Sequence, residues 1–150
     1  MEKIVEIIRI RQEVLEVQEK YEFLKDVQIN SPATLINAIS KIIGDEDREV
    51  LLVLALNTKN KIIAVHRCHV GSINSSIAHP REIFKTAILN NATSIVMAHN
   101  HPSQNLEISE PDFAVTKRIV AAGEILGIEL LDSIIVNHEG GISLKQKGYM

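Results

Sequence analysis

The sequence has little cysteine, few aromatic residues and no long apolar run. Its single cysteine, Cys68, excludes an internal disulfide and is typical of a protein from a reducing cytoplasm. Aromatic residues make up 3% of the chain and tryptophan is absent, so a base-stacking platform for nucleic acid is not expected. No apolar stretch approaches the roughly 20 residues that cross a bilayer, which excludes a transmembrane helix.

An excess of positive charge is also lacking. There are 16 Lys and Arg residues against 19 Asp and Glu residues, a formal net charge of −3. Dedicated nucleic-acid binders usually carry a basic face, so neither a nucleic-acid partner nor a membrane partner is expected. Acids interrupt the amino terminus and no signal-peptide pattern is visible, so we expect a cytoplasmic protein.

Length and composition predict one globular domain. The chain has 150 residues, of which 45% are hydrophobic and 23% charged, enough for a sizeable core. No repeat, linker or low-complexity tract marks a boundary, so we expect a single domain over residues 1–150. Residues 1–30 form an amino-terminal extension with weaker patterning. Residues 8–11 alternate as a strand does, and a strand is favoured there, although the apolar residues between positions 4 and 17 are also compatible with a helix.

The spacing of apolar residues predicts three helices and five further strands. The predicted helices cover residues 32–43, 80–89 and 110–126, and the strands cover 50–56, 61–69, 93–98, 128–136 and 142–144. With the early strand, the order is β-α-β-β-α-β-α-β-β. This order indicates an α/β fold in which a mixed sheet carries helices on its faces.

Five of the six histidines lie between positions 66 and 101. His99 and His101 directly follow the predicted strand at 93–98, and side chains two residues apart in an extended chain project to one side. His66 and His69 lie at odd spacing on another strand, so we expect them to face opposite sides and to be structural. His79 precedes a proline and is expected to belong to a helix entry.

Asp112 completes a candidate metal site with the two histidines. It shares a helix face with Val115 and Ile119, and a carboxylate that points at a core is costly unless it is paired or binds a metal. Two imidazoles and one carboxylate are typical protein ligands of a catalytic zinc, which keeps a fourth position for water. Ser109 and Asp112 also have the spacing of a helix-capping pair, a reading that is compatible with metal binding.

A longer pattern contains these residues and resembles a known family. His99-x-His101-Pro102-Ser103, followed by Ser109-x-x-Asp112, is similar to the JAMM (MPN+) metallopeptidase signature. The surrounding chain resembles the RadC family within that group, over roughly residues 31–148. Three stretches carry the second resemblance, at positions 78–85, 97–103 and 127–132.

The resemblance implies a fold, a cofactor and roles for individual residues. The fold would be a JAMM-type, cytidine-deaminase-like three-layer sandwich, with one zinc ion per chain held by His99, His101 and Asp112. Ser109 would stabilise an oxyanion, and an upstream glutamate would act on the zinc-bound water. Glu82 matches the Pro-Arg-Glu stretch of the family and is the candidate, although an acid in the first turn of a helix also complements the helix dipole.

Two positions depart from the family pattern. Gln104 and Ile108 stand where RadC-like chains usually carry Gly and Pro, so we expect a loop of different shape, with consequences for substrate access more than for metal binding. Longer RadC proteins carry a helix-hairpin-helix-like region that the sequence lacks. A DNA role built on that region is therefore not expected here.

Three functions follow as hypotheses. The first is a zinc-dependent hydrolase of peptide, isopeptide or related amide bonds, with a peptide or protein substrate that the sequence does not identify. The second is a non-catalytic interaction module associated with DNA repair or maintenance. The third is a non-haem iron oxygenase, because two histidines and one carboxylate also bind iron in such enzymes. The sequence predicts no oligomeric state.

Overall fold

The computed structural model describes residues 3–9, 19–73 and 78–150. A short 3-10 helix at Glu19–Leu24 precedes the sandwich. The helices are α1 (Pro32–Ile43), α2 (Pro80–Leu89) and α3 (Glu110–Leu126). The strands are β1 (Val50–Leu56), β2 (Ile62–Val70), β3 (Ser94–Asn100), β4 (Glu129–Val136) and β5 (Gly141–Ser143).

The order of these elements confirms the sequence-based prediction from residue 32 onward. The strand expected at residues 8–11 is not present at Ile8 and Arg9. Both residues lack regular secondary structure, and Ile8 is 89% exposed. Residues 10 and 11 lie outside the described part of the chain. Within the described ranges, no helix has the length and apolar character that crossing a bilayer requires.

The five strands form one mixed sheet in the order β2-β1-β3-β4-β5. β1 runs antiparallel to both β2 and β3, β3 runs parallel to β4, and β5 returns antiparallel to β4. Every residue of β1 and β3 is buried, which explains why these two strands read as continuous apolar runs rather than alternating ones.

Helices cover the sheet on both faces and make the three-layer α/β sandwich that was predicted. On one face, Leu51 and Met97 of the sheet pack with Phe84 of α2 and Ile119 of α3. On the other face, side chains of the alternate sheet positions pack with Leu35, Ile39 and Ile43 of α1. The period-2 alternation of β1 and β3 thus divides the core into two layers.

A bulge in β2 corrects the prediction for His66 and His69. The register pairs His69 with Leu51 but Arg67 with Leu52, so Cys68 is an extra residue in β2. His66 pairs with Val53, and both Val53 and Leu51 belong to the core layer under α2 and α3. Because cross-strand partners share a face, the expectation that the two histidines face opposite sides is wrong.

Helix entries follow the sequence signals. Ser31 caps α1, and its Oγ accepts a hydrogen bond from the backbone N–H of Thr34 at 3.3 Å. His79 caps α2, and its Nδ1 accepts from the backbone N–H of Arg81 at 3.1 Å. The expectation that His79 belongs to a helix entry is therefore confirmed. α3 ends at Gly127, whose φ of 72° lies in the left-handed region that glycine adopts without steric cost.

Gly123→Ala is expected to destabilise the fold. A Cβ at position 123 would lie 2.4 Å from the carbonyl oxygen of Ile128 and 3.3 Å from Cζ of Phe84. Overpacking typically costs ~1–3 kcal/mol, whereas alanine gains only ~0.5–1 kcal/mol over glycine within a helix. The free energy of unfolding from urea titration should therefore fall by ~1–2 kcal/mol.

Gly140→Ala is the matched control for this substitution. A Cβ there would meet no atom within 4 Å, and Gly140 is not among the residues with positive φ. Its free energy of unfolding should stay within ~0.5 kcal/mol of the native value. A Gly123→Ala protein as stable as the control would show that α3 and the start of β4 can separate at no cost.

Candidate metal centre

The site begins at the carboxyl end of β3, where side chains alternate. His99 is 5% exposed and lies within β3, which ends at Asn100, two residues later than predicted. The backbone N–H of His101 still donates to the carbonyl of Val136 at 3.0 Å, so the chain stays extended through this residue. His99 and His101 therefore project to one side, as predicted, and Asn100 between them projects to the other.

Asp112 reaches the histidines from the first turn of α3. Ser109 caps this helix, and its Oγ accepts from the N–H of Asp112 at 3.2 Å. In return, Oδ2 of Asp112 accepts from the N–H of Ser109 at 2.9 Å, which completes a capping box. The same carboxylate contacts His99 through Oδ1 at 3.0 Å. Capping and metal binding are thus compatible at this position, as the sequence suggested.

The three side chains meet in a geometry that suits a small metal ion. The Nε2 atoms of His99 and His101 lie 3.1 Å apart, and Nε2 of His101 lies 3.5 Å from Oδ2 of Asp112. One ligand atom from each residue lies within 4.8 Å of the others. A zinc ion with bonds of ~2.0–2.1 Å in a tetrahedron separates its ligand atoms by roughly 3.3–3.4 Å. The residues therefore fit zinc.

A backbone carbonyl sets the tautomer of His101. Nδ1 of the ring lies 2.7 Å from the carbonyl oxygen of Asn105, an atom that can only accept a hydrogen bond. Nδ1 therefore carries a proton, and in the neutral form of the ring the lone pair is on Nε2, the atom that faces His99 and Asp112. Such hydrogen bonds from the second ring nitrogen orient histidine ligands in many metal sites.

Charges in the site stabilise one another. Burial alone would raise the pKa of Asp112, but the hydrogen bonds from His101 and His99 outweigh it and hold that pKa far below its ordinary value. The hydrogen bond to Asp112 in turn raises the pKa of His101. Asp112 is therefore an anion at neutral pH, which is the form that binds a metal.

A cavity of about 10 Å³ adjoins the site. His99 and Asp112 line it beside the apolar side chains of Ile73, Met97 and Val115. Its volume approaches the ~10–15 Å³ that one water molecule needs. The surroundings of the ligands are therefore narrow and largely apolar.

Glu49 is a further carboxylate beside the site, and the sequence reasoning missed it. Its Oε2 accepts from the backbone N–H of Ile73 at 3.0 Å, and Ile73 lines the cavity with His99. Its negative charge also contributes to the raised pKa of His101. The signal for Glu49 is its place directly before β1, whose start lies beside the end of β3 once the two strands pair antiparallel.

Asn100 ties the segment that carries Glu49 to β3. The side chain is 1% exposed, and its Oδ1 accepts from the N–H of Val50 at 2.7 Å. Its Nδ2 donates to the carbonyls of Arg48 and Glu46 at 2.9 and 3.2 Å. Glu49 therefore sits between two anchored neighbours.

Glu82 lies apart from the group formed by His99, His101 and Asp112. It stands in the first turn of α2, where Lys85 donates to its Oε2 at 2.8 Å. That hydrogen bond lowers the pKa of Glu82, and the charge of Glu82 acts on His66 and Cys68. Of the predicted site residues, the structure thus brings together the two histidines, Asp112 and Ser109, but not Glu82.

Comparison with known proteins agrees with this geometry. A family model described as a RadC-like JAB domain matches residues 29–149. A UPF0758 protein of Caldanaerobacter subterraneus subsp. tengcongensis is 47% identical over 125 residues, which cover 83% of this chain and 54% of that relative. A UPF0758 protein of Rubrobacter xylanophilus is 47% identical over 122 residues, covering 81% of this chain and 53% of the relative.

A third relative, a UPF0758 protein of Clostridium acetobutylicum, is 42% identical over 130 residues, covering 87% of this chain and 57% of its own length. This chain therefore spans about half the length of the curated relatives it matches. The family match covers most of the chain and includes all three residues of the candidate metal site. Both the resemblance and the sandwich inferred from it are thus confirmed, and the chain belongs to the RadC-like JAB domain family.

Proposed function

We propose that this domain is a zinc-dependent hydrolase of peptide, isopeptide or related amide bonds. The observation that carries the proposal is the convergence of three metal-ligating atoms, from His99, His101 and Asp112, at the end of a buried strand. The proton on Nδ1 of His101 and the anionic state of Asp112 prepare both ligands for a divalent cation. The substrate class is a peptide or protein, and one zinc ion per chain is the expected cofactor.

Each nearby residue has a role in this proposal. When bound, zinc supplies a water nucleophile near neutral pH and polarises the scissile carbonyl. Glu49 takes the proton of the attacking water and passes it to the leaving amine, so the proton count balances across the cleavage. Ser109 donates its hydroxyl hydrogen to the oxyanion, because its Oγ already accepts from the N–H of Asp112 and its own hydrogen is left for another acceptor.

Glu49 replaces Glu82 as our candidate for the general base. A general base must reach the proton that it removes, so its position decides before its pKa does. The charge of Glu49 acts on His101, and its carboxylate accepts a hydrogen bond from Ile73, which lines the same cavity as His99. The Glu82 side chain is 43% exposed and accepts a hydrogen bond from Lys85. Position therefore favours Glu49.

The native protein, purified without chelator, should contain close to one zinc per chain by elemental analysis. His101→Ala and Asp112→Ala should each lose nearly all of it, because each removes one of three protein ligands. Removal of zinc from the native protein should lower the thermal midpoint, since a ligand at 100 times its dissociation constant stabilises by ~2.7 kcal/mol.

His69→Ala is the control for this experiment, because His69 lies on β2 and is not part of the metal-binding group. It should keep its zinc. Zinc at native stoichiometry in both ligand variants would show that the site is elsewhere. Iron in place of zinc in the native protein would favour the oxygenase hypothesis.

Glu49→Gln should keep zinc and lose hydrolysis. The amide oxygen can still accept from Ile73 but cannot take a proton, and general base catalysis contributes ~10²–10⁴-fold in rate. The measurement is incubation of the zinc-loaded protein with a mixed peptide pool in ¹⁸O-labelled water, followed by mass spectrometry of new carboxyl termini that carry ¹⁸O.

Glu82→Gln is the matched control, since the same change is made at a carboxylate outside the metal-binding group. It should cleave at the native rate. The opposite pattern, with activity lost in Glu82→Gln and kept in Glu49→Gln, would return the role to Glu82.

A further inference from the structure

The loop that carries His101 depends on the backbone conformation of Gln104. The N–H of Gln104 donates to the carbonyl of His101 at 2.8 Å, which closes a four-residue turn. Gln104 itself has a φ of 68°, in the left-handed region. The chain reverses there, and the next residue, Asn105, presents its carbonyl oxygen to Nδ1 of His101. The backbone conformation of Gln104 therefore determines the position of the Asn105 carbonyl. That carbonyl in turn sets the tautomer of His101.

A left-handed φ is unfavourable for a residue with a side chain, and glycine is the residue that adopts it freely. The present chain has glutamine, so other contacts must hold the conformation that glycine would adopt without cost.

The turn between β4 and β5 supplies those contacts. Nδ2 of Asn137 donates to the carbonyl of Gln104 at 2.9 Å. The backbone N–H of His138 donates to Oε1 of Gln104 at 3.0 Å, and Nδ1 of His138 also contacts Oε1. Asn137 is firmly placed, because it is 7% exposed and its Oδ1 accepts from the N–H groups of Glu139 and Gly140 at 2.9 Å each. Gln104 thus connects residues 101–105 with the turn between β4 and β5.

We propose that Gln104 is a positioning residue for the metal site, which it prepares by tethering residues 101–105 to Asn137 and His138. We call the contacts of the Gln104 side chain with His138 the Gln104 tether. The inference rests on the proposed metal site but not on hydrolysis. A loop that is already held in its metal-bound conformation loses less conformational freedom when the metal binds. The tether should therefore increase the affinity of the site for a metal ion.

The test compares Gln104→Ala, Gln104→Gly and Gln104→Ala/His138→Ala with native protein and with Gln28→Ala. Gln28 is a matched control, because its Nε2 donates to the carbonyl of Lys59 at 3.1 Å on another part of the surface. Co²⁺ is the probe, and its affinity is measured by competition with a chromophoric chelator. Its visible absorption also reports the coordination geometry.

Gln104→Ala should bind Co²⁺ roughly 10-fold more weakly, at the lower end of the effect of residues that orient metal ligands. Gln104→Gly should lose part of this affinity, because glycine adopts the left-handed φ without steric cost but lacks the tether. Gln28→Ala should bind as the native protein does. His138→Ala should add no further loss to Gln104→Ala, because the ring contact that it removes needs the glutamine side chain.

Native affinity in Gln104→Gly would overturn the proposal, because the left-handed backbone alone would then be sufficient. Native affinity in Gln104→Ala, or an equal loss in Gln28→Ala, would overturn it as well.

A second measurement on metal-free protein separates this inference from the proposed function. Amide hydrogen exchange at Gln104 and His138 should be faster in Gln104→Ala and Gln104→Gly than in Gln28→Ala. If the native protein binds no metal, the proposed function fails, and the exchange data still decide whether the tether orders the loop. Equal exchange in all variants would overturn the tether itself.

Discussion

The alternation of three side chains at the end of β3 determines the arrangement around the candidate site. His99 and His101 point to the side where α3 begins, and Asn100 points away from them into the segment that precedes β1. Because side chains in a strand alternate with a period of two, a slip of one residue would turn the histidines away from α3 and place Asn100 on the side where Asp112 lies. The hydrogen bonds of the Asn100 side chain with Val50, Arg48 and Glu46 favour the observed register over such a slip.

Asp112 serves the helix and the metal site with the same carboxylate. Oδ2 accepts from the N–H of Ser109 and so caps α3, while Oδ1 is directed at His99. A carboxylate that is removed from water without partners costs several kcal/mol, and here the capping bond and two imidazoles offset that cost. The helix N-terminus also favours a negative charge. The local signal that starts α3 therefore places a metal ligand at the same time.

Most of the fold and part of the site could be predicted because their signals are local. The helix caps at Ser31 and Ser109, the buried strands and the His99–His101 spacing can all be recognised within a few residues of sequence. The bulge at Cys68 has no such signal, since it is visible only from the register of β2 against β1. Glu49 was missed for a related reason. It precedes His99 by 50 residues, and only the antiparallel pairing of β1 with β3 brings the start of one strand beside the end of the other.

The two glutamates illustrate why residue type and motif position are insufficient to assign a role. Glu82 stands in a stretch that resembles the family, yet the described contacts bind it to Lys85 at the surface of α2. Glu49 lies in no motif, yet Asn100 anchors the residues on both sides of it and Ile73 fixes its carboxylate. A group that transfers protons must be held against the reacting atoms, because misplacement by even ~1 Å can cost as much as 10²-fold in rate. Asn100 therefore contributes to the site although its side chain points away from the histidines, because its hydrogen bonds to Arg48 and Val50 determine where the carboxylate of Glu49 lies.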